Sequence, residues 1–264
     1  MPELVDICVN FANKDFRRDE AEVVARAREA GVTTWLVTGS TLADSRKGLR
    51  LAEAYPDTCY ATVGIHPHHA SDWDEGYADQ LRALAAHAKV RALGEMGLDY
   101  NRNYSPPEVQ RDVFEAQLAL ACELGLPVFL HDREAHADFL PLIARYRDRL
   151  ADGVVHCFTG TGEELDAYLD LDLHIGITGW ICDERRGLRL RELVRRIPAE
   201  RLMLETDAPY LLPRTIRPRP KSRRNEPAYL PWVLSAVAEV RGEEPEAVAA
   251  STTATARRFY RLPA

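Results

Sequence analysis

No stretch of this chain is apolar over the roughly 20 consecutive residues that a membrane-spanning helix requires,. The start, MPELVDICVNF, has no basic segment followed by an apolar core, so no secretory signal is expected,. Cysteine is scarce: Cys8, Cys59, Cys122, Cys157 and Cys182 are an odd set with no CxxC spacing, which argues against a disulfide framework and against a thiolate zinc site,. The expected setting is a reducing cytoplasm. Basic charge is in deficit, 34 Lys and Arg against 41 Asp and Glu, and the net charge of −7 gives no general affinity for a polyanion,. Any nucleic-acid binding must therefore come from a local patch. Linkers, low-complexity segments and internal repeats are lacking too. No membrane association and no obligate protein partner are inferred.

What the chain has is a regular alternation. Short apolar runs at Leu4–Val9, Thr34–Thr38, Tyr60–Gly64, Val90–Gly94, Pro127–Leu130, Val154–Val155, His174–Thr178 and Leu202–Glu205 are bounded by turn residues and read as buried parallel strands,. Between them, Arg17–Ala30, Asp44–Tyr55, Tyr77–Ala86 and Pro107–Leu124 carry apolar residues at helical spacing,. Pro107 suits a first helical turn, and Gly31 and Gly125 suit left-handed caps,. Leu230–Tyr260 reads as one or two closing helices. Eight strand–helix repeats within 264 residues predict an α/β fold, a single (β/α)₈ TIM-type barrel spanning 1–264 as one domain,. An open doubly wound sheet is the alternative, and it would gather ligands at one switch point.

Four metal-ligand types stand at or just past the ends of different runs: Glu95 after VRALG, His131 after PVFL, His156 after GVV and Asp207 after RLMLET. A barrel enzyme builds its site at that rim, from the loops that follow the strands. A strand-end histidine alone is as well explained by a satisfied structural hydrogen bond, but four such residues together predict a metal site. Two imidazoles and two carboxylates suit a hydrolytic divalent ion. Asp207 serves as ligand or as general base, and Glu95 shares the catalytic role. His66, in GIHPHH after the third strand, is expected to hydrogen-bond a substrate oxyanion or orient water. His68 and His69 read as solvated, His174 as structural at the opposite rim, and His87 and His136 as surface or packing residues.

After the last strand, Arg214, Arg217, Arg219, Lys221, Arg223 and Arg224 face a single acid, Glu226, between Pro213 and Pro227. An isolated run of this kind is usually a solvated loop. Its place directly after Asp207 predicts a phosphate track, with Arg223 and Arg224 as substrate-binding residues. Arg185 and Arg186 extend that track, and Trp180 and Tyr210 are candidates to stack on bases.

GEMGLDYNRN, HCFTGT, GITGW and ETDAPYLLP, with SRRNEP, together resemble the TatD family of metal-dependent nucleases, over nearly the whole chain. The resemblance implies a hydrolase of phosphodiesters, a 3′→5′ exonuclease on single-stranded DNA with RNA as a further substrate, using Mg²⁺ or alternatively Mn²⁺. It also implies that Glu95, His131 and His156 hold the ion and that Asp207 is the aspartate ending the last strand. One departure stands out. Many members open with Asp-x-His-x-His, whereas this chain has Asp6, Cys8 and Asn10 at those positions. That argues for one principal ion. The rival readings are a small-molecule amidohydrolase or phosphotriesterase on the same barrel, for which an arginine loop has no evident use, and a catalytically silent binding scaffold, for which ligands on four strands have none.

Overall fold

The computed structural model describes residues 2–263. In chain order the strands and helices among them are β1 (Leu4–Val9), α1 (Glu20–Glu29), β2 (Val32–Val37), α2 (Leu42–Ala54), β3 (Cys59–Val63), α3 (Tyr77–Ala85), β4 (Val90–Asp99), α4 (Pro107–Leu124), β5 (Val128–Arg133), α5 (His136–Tyr146), β6 (Gly153–Val155), α6 (Gly162–Asp170), β7 (His174–Ile177), α7 (Leu188–Val194), β8 (Leu202–Leu204), α8 (Leu230–Arg241) and α9 (Pro245–Tyr260). The strands form one eight-stranded sheet in the order β1 to β8. Val9 also bridges Ala208 in parallel, so the segment after β8 returns to β1. This is the connectivity of a (β/α)₈ barrel, the class expected. Every residue of β1, β3, β6, β7 and β8 is buried, which explains their continuous apolar runs,.

Packing divides the described residues into two compact units. One comprises the chain up to Leu36, Cys157–Leu165 and the chain from His174; the other comprises Val37–His156 and Asp166–Leu173. In the first, Phe11 packs against Phe16 and Trp35 at ring distances of 5.0 and 6.3 Å. In the second, Phe114 of α4 stacks on Phe139 of α5 at 5.3 Å. None of the described helices is long and apolar enough to cross a membrane.

Two boundaries differ from expectation for local reasons. β4 does not stop at Gly94 but runs on to Asp99, because it carries a bulge. Leu93 pairs with Val128 and Met96 with Leu130, so three steps on β4 match two on β5,. Gly94 and Gly97 permit this with φ of +135° and +145°, values few other residues adopt,. α1 begins at Glu20 rather than Arg17, since a 3₁₀ turn at Lys14–Phe16 occupies the preceding segment. Pro107 opens α4 and Gly125 caps it at φ +62°, both as the sequence implies.

Candidate active site

The β4 bulge aims Glu95, and its neighbours complete a cluster within the second unit. Glu95 is 6% exposed, and its backbone N–H donates to Gly39 O rather than to a regular strand partner. His131 lies inside β5, and His156 directly follows β6, where its N–H donates to Leu130 O. Three donor atoms converge: Glu95 Oε1 is 3.0 Å from His131 Nδ1 and 2.8 Å from His156 Nε2, and the two nitrogens are 3.3 Å apart. A divalent ion with ligands at about 2.0–2.1 Å in octahedral array spaces neighbouring donors about 3 Å apart, so the trio fits such an ion in spacing as well as in donor type.

His131 is oriented from behind. Its Nε2 lies 3.4 Å from Asp99 Oδ2, and its Nδ1 faces the site. Asp99 is buried at the end of β4; its Oδ2 also meets His68 Nε2 at 2.7 Å, and its Oδ1 accepts the N–H groups of Asn101 and Arg102. Burial alone would raise the Asp99 carboxyl, but these donors hold it well below the usual carboxylate range,. Burial likewise opposes charge on His131, and Asp99 and Glu95 outweigh it and push that histidine up. Glu95, which burial would raise, is kept well below its ordinary value by His66, His156 and His131.

His66 joins the group by a different logic. Its Nδ1 accepts the His68 N–H at 3.0 Å, capping the 3₁₀ turn at Pro67–Asp72, so the proton of the neutral ring sits on Nε2,. Burial lowers His66 to about 4 and keeps it neutral,. Nε2 lies 3.3 Å from Glu95 Oε1. His66 can thus donate a hydrogen bond at the site but has no lone pair there to give an ion.

One face of α4 holds the backbone around this cluster. Gln117 accepts the Ile65 N–H and donates to Ile65 O, fixing the turn before His66. Gln110, seven residues earlier, accepts the Asp99 N–H and donates to Asp99 O and Ser105 O. Both are buried, and both are fully used.

In the first unit Asp207 follows β8 with φ +55°. Its Oδ1 accepts from Asn10 Nδ2 at 2.9 Å and from Cys8 Sγ at 3.5 Å, and its N–H donates to Cys8 O. Cys8 and Asn10 therefore serve the aspartate. Glu205, wholly buried two residues earlier, accepts the Cys157 N–H. Asp6 accepts from Cys8 N, from Thr206 N and, at 2.6 Å, from Thr206 Oγ1. Burial nevertheless pushes Asp6 up to about 8.

The arginine loop divides. Arg223 is exposed. Arg224 is taken up by acids: Nη1 donates to Asp19 Oδ1 at 2.7 Å and to Asp15 O, and Nη2 donates to Asp19 Oδ2 and Glu226 Oε1, each at 2.6 Å. Arg26 completes the lattice by donating to both oxygens of Glu226. The guanidinium of Arg224, expected at a substrate phosphate, is thus engaged by acids of its own chain. His68, expected in solvent, is instead one-quarter exposed and tied to Asp99. His174 is buried against Phe259, as a structural residue should be. Asp99, His68, Gln110 and Gln117 escaped the sequence reading. Asp99 had a signal in the GEMGLD motif, as an acid at the end of an otherwise apolar run; the glutamines had none.

A family model described as TatD related DNase matches residues 5–261 of this chain. A curated relative from Pantoea vagans, named 3′-5′ ssDNA/RNA exonuclease TatD, is 55% identical over 98% of this chain and 100% of its own length. A solved TatD homolog from Escherichia coli superposes with a TM-score of 0.88 at 30% identity, covering 98% of each chain. A TatD family hydrolase from Entamoeba histolytica superposes at 0.90 with 25% identity over 99% of each chain.

Proposed function

Because this chain belongs to the TatD family, we propose that it is a metal-dependent nuclease, a 3′→5′ exonuclease that hydrolyses the phosphodiester bonds of single-stranded DNA and of RNA. The observation that carries the reading is the convergence of Glu95 Oε1, His131 Nδ1 and His156 Nε2 within 3.3 Å of one another. These residues hold a divalent ion, Mg²⁺ with Mn²⁺ as the alternative, and the 264 residues work as one barrel domain in the cytoplasm. Bound there, such an ion supplies Lewis-acid polarisation of the scissile phosphate and a lowered pKa for the attacking water.

The protein's own groups do the rest. Asp99 fixes the tautomer of His131 so that its lone pair stays on the site,. His66 donates its Nε2 proton as a hydrogen bond to a phosphate oxygen and offsets charge developing there,. Asp207, oriented by Asn10 and Cys8, accepts the proton of the attacking water while the bond from phosphorus to the leaving sugar oxygen breaks and that oxygen takes a proton from solvent,. Arg223 neutralises strand phosphate, and Arg224 keeps the loop in place,.

The test is degradation of end-labelled single strands of DNA and RNA, beside an amide substrate, with Mg²⁺, with Mn²⁺ and with chelator. Strand loss that chelator stops is expected. Glu95→Ala, His131→Ala and His156→Ala should each abolish it while circular dichroism stays native. Near-normal activity in any two of the three would overturn the metal site, and cleavage of the amide without the strands would overturn the nuclease.

A further inference from the structure

The loops after β7 and β8 line a half-open pocket of about 370 Å³ in the first unit, and it gathers Trp180, Arg185 and Arg186, which the sequence offered as a stacking ring and an extension of the phosphate track. Trp180, Leu211 and Leu212 line it together with Arg185, Arg186 and Arg214, with Asp183 among them. The walls are built rather than accidental. The 3₁₀ turn Gly179–Cys182 is capped by Thr178, whose Oγ1 accepts the Trp180 N–H. Gly179 lets this turn press on the second loop, since a Cβ there would stand 2.2 Å from Leu211 O,. Asp183, 8% exposed, accepts the N–H groups of Arg185 and Arg186 through Oδ1 and meets Arg214 at 3.3 Å through Oδ2. One acid thus fixes the backbone at Arg185 and Arg186 and pairs with the Arg214 guanidinium, beside a half-buried indole.

Such a lining asks for a ligand with a flat apolar part and several negative charges. A nucleotide has both: bases stack on aromatic rings with little regard to sequence, and guanidinium groups pair with phosphate oxygens in a fork. The volume falls in the range of small-ligand sites, about 300–1,000 Å³. Leu211 is four residues beyond Asp207, so its Cα lies within about 14 Å of that residue's.

We propose that this pocket is a nucleotide subsite, which holds one unit of the single strand with its base on Trp180 and its phosphates on Arg185, Arg186 and Arg214. The proposal rests on the nuclease reading for its natural ligand, and the experiment separates the two. Affinity is measured with chelator present, using a fluorescein-labelled oligodeoxythymidine and, separately, deoxyadenosine 5′-monophosphate. Trp180→Ala should weaken strand binding roughly 5- to 150-fold, the range for loss of one stacked base. Trp180→Phe should restore most of it, which a merely structural role for the indole would not predict. Arg185→Gln with Arg186→Gln, both at exposed positions, should flatten the salt dependence by about 0.7 in log–log slope for each phosphate no longer neutralised,. Wild-type affinity and slope in these variants, from an enzyme that degrades strands, would overturn the subsite and leave the nuclease standing. A mononucleotide bound by the wild type and released in Trp180→Ala, from a protein that degrades no strand, would do the reverse.

Discussion

Asp99 is not among the three groups proposed to hold the ion, yet it lies against one of them, so on that proposal its removal should be felt at the metal. The variant Asp99→Asn leaves the volume unchanged but cannot offer a charged oxygen to both His131 and His68. We expect a 10- to 100-fold loss in ion affinity or activity, roughly the usual cost of losing a partner behind a ligating histidine. Titration of activity against Mn²⁺ measures it, and an unchanged half-saturation point would show that His131 orients itself. Asp6 governs a different quantity. Its folded pKa of about 8 stands above the ordinary aspartate value near 3.9, so between these limits the native state holds a proton that the unfolded chain has released,. Its contribution to stability is therefore greatest below about pH 4 and falls as pH rises toward 8, by up to about 1.4 kcal/mol per pH unit. Asp6→Asn should remove that slope: urea titrations with chelator at pH 5 and pH 7.5 should converge in the variant relative to wild type. Equal differences in both proteins would mean that Asp6 is ionised when folded. At this scale the sequence disclosed ligand types but not their supporters. An acid that holds a histidine and an acid that meets solvent are spelled alike, and only burial, 1% exposure for Asp99, tells them apart.

Among elements, β4 and the loop after β8 decide the most. Strand periodicity located β4 but not its bulge, because a bulge is a mismatch of register between two strands and neither strand alone encodes it. The glycines that allow it are visible; their purpose is not. A Cβ on Gly97 would stand 1.9 Å from His131 O, and one on Gly94 would stand 2.3 Å from Phe129 O, so both glycines let β4 lie against β5 where Glu95 turns inward. In the loop, composition alone made Arg223 and Arg224 look equivalent, and the partners from α1 and its approach separate them. Arg224→Ala should cost about 1–3 kcal/mol in chemical denaturation, since Glu226 and Asp19 lose charged hydrogen bonds in a partly buried network,. Arg223→Ala should leave stability within about 0.5 kcal/mol, as exposed positions generally do. It should instead weaken strand binding and reduce the salt slope by about 0.7. Loss of stability in Arg223→Ala together with none in Arg224→Ala would exchange the two roles.

For the whole molecule, eight strands in sequential order were legible from alternation of runs and helical patterns,; the return of the chain to β1 after β8 came from the structure. The same return bears on the metal count proposed for this chain. Cys8 and Asn10 are engaged with Asp207, and neither a thiol nor a neutral amide suits a hard ion,. We expect one tightly held ion per chain after dialysis, read by elemental analysis, with unfolding free energy raised by about 2.7 kcal/mol when free ion stands at about 100 times its dissociation constant. Two ions retained per chain, with Cys8 or Asn10 ligating one, would overturn this. The pairings that close the chain, Asn10 with Asp207, Asp6 with Thr206 and Asp19 with Arg224, span separations of 197, 200 and 205 residues. On a ribosome adding about 5–20 residues per second, β1 emerges roughly 10–40 s before its partners exist. β2 is made soon after it, but the side of LVDICV that meets the segment after β8 must wait out that interval, which makes the nascent amino-terminal strand the natural client for a chaperone,.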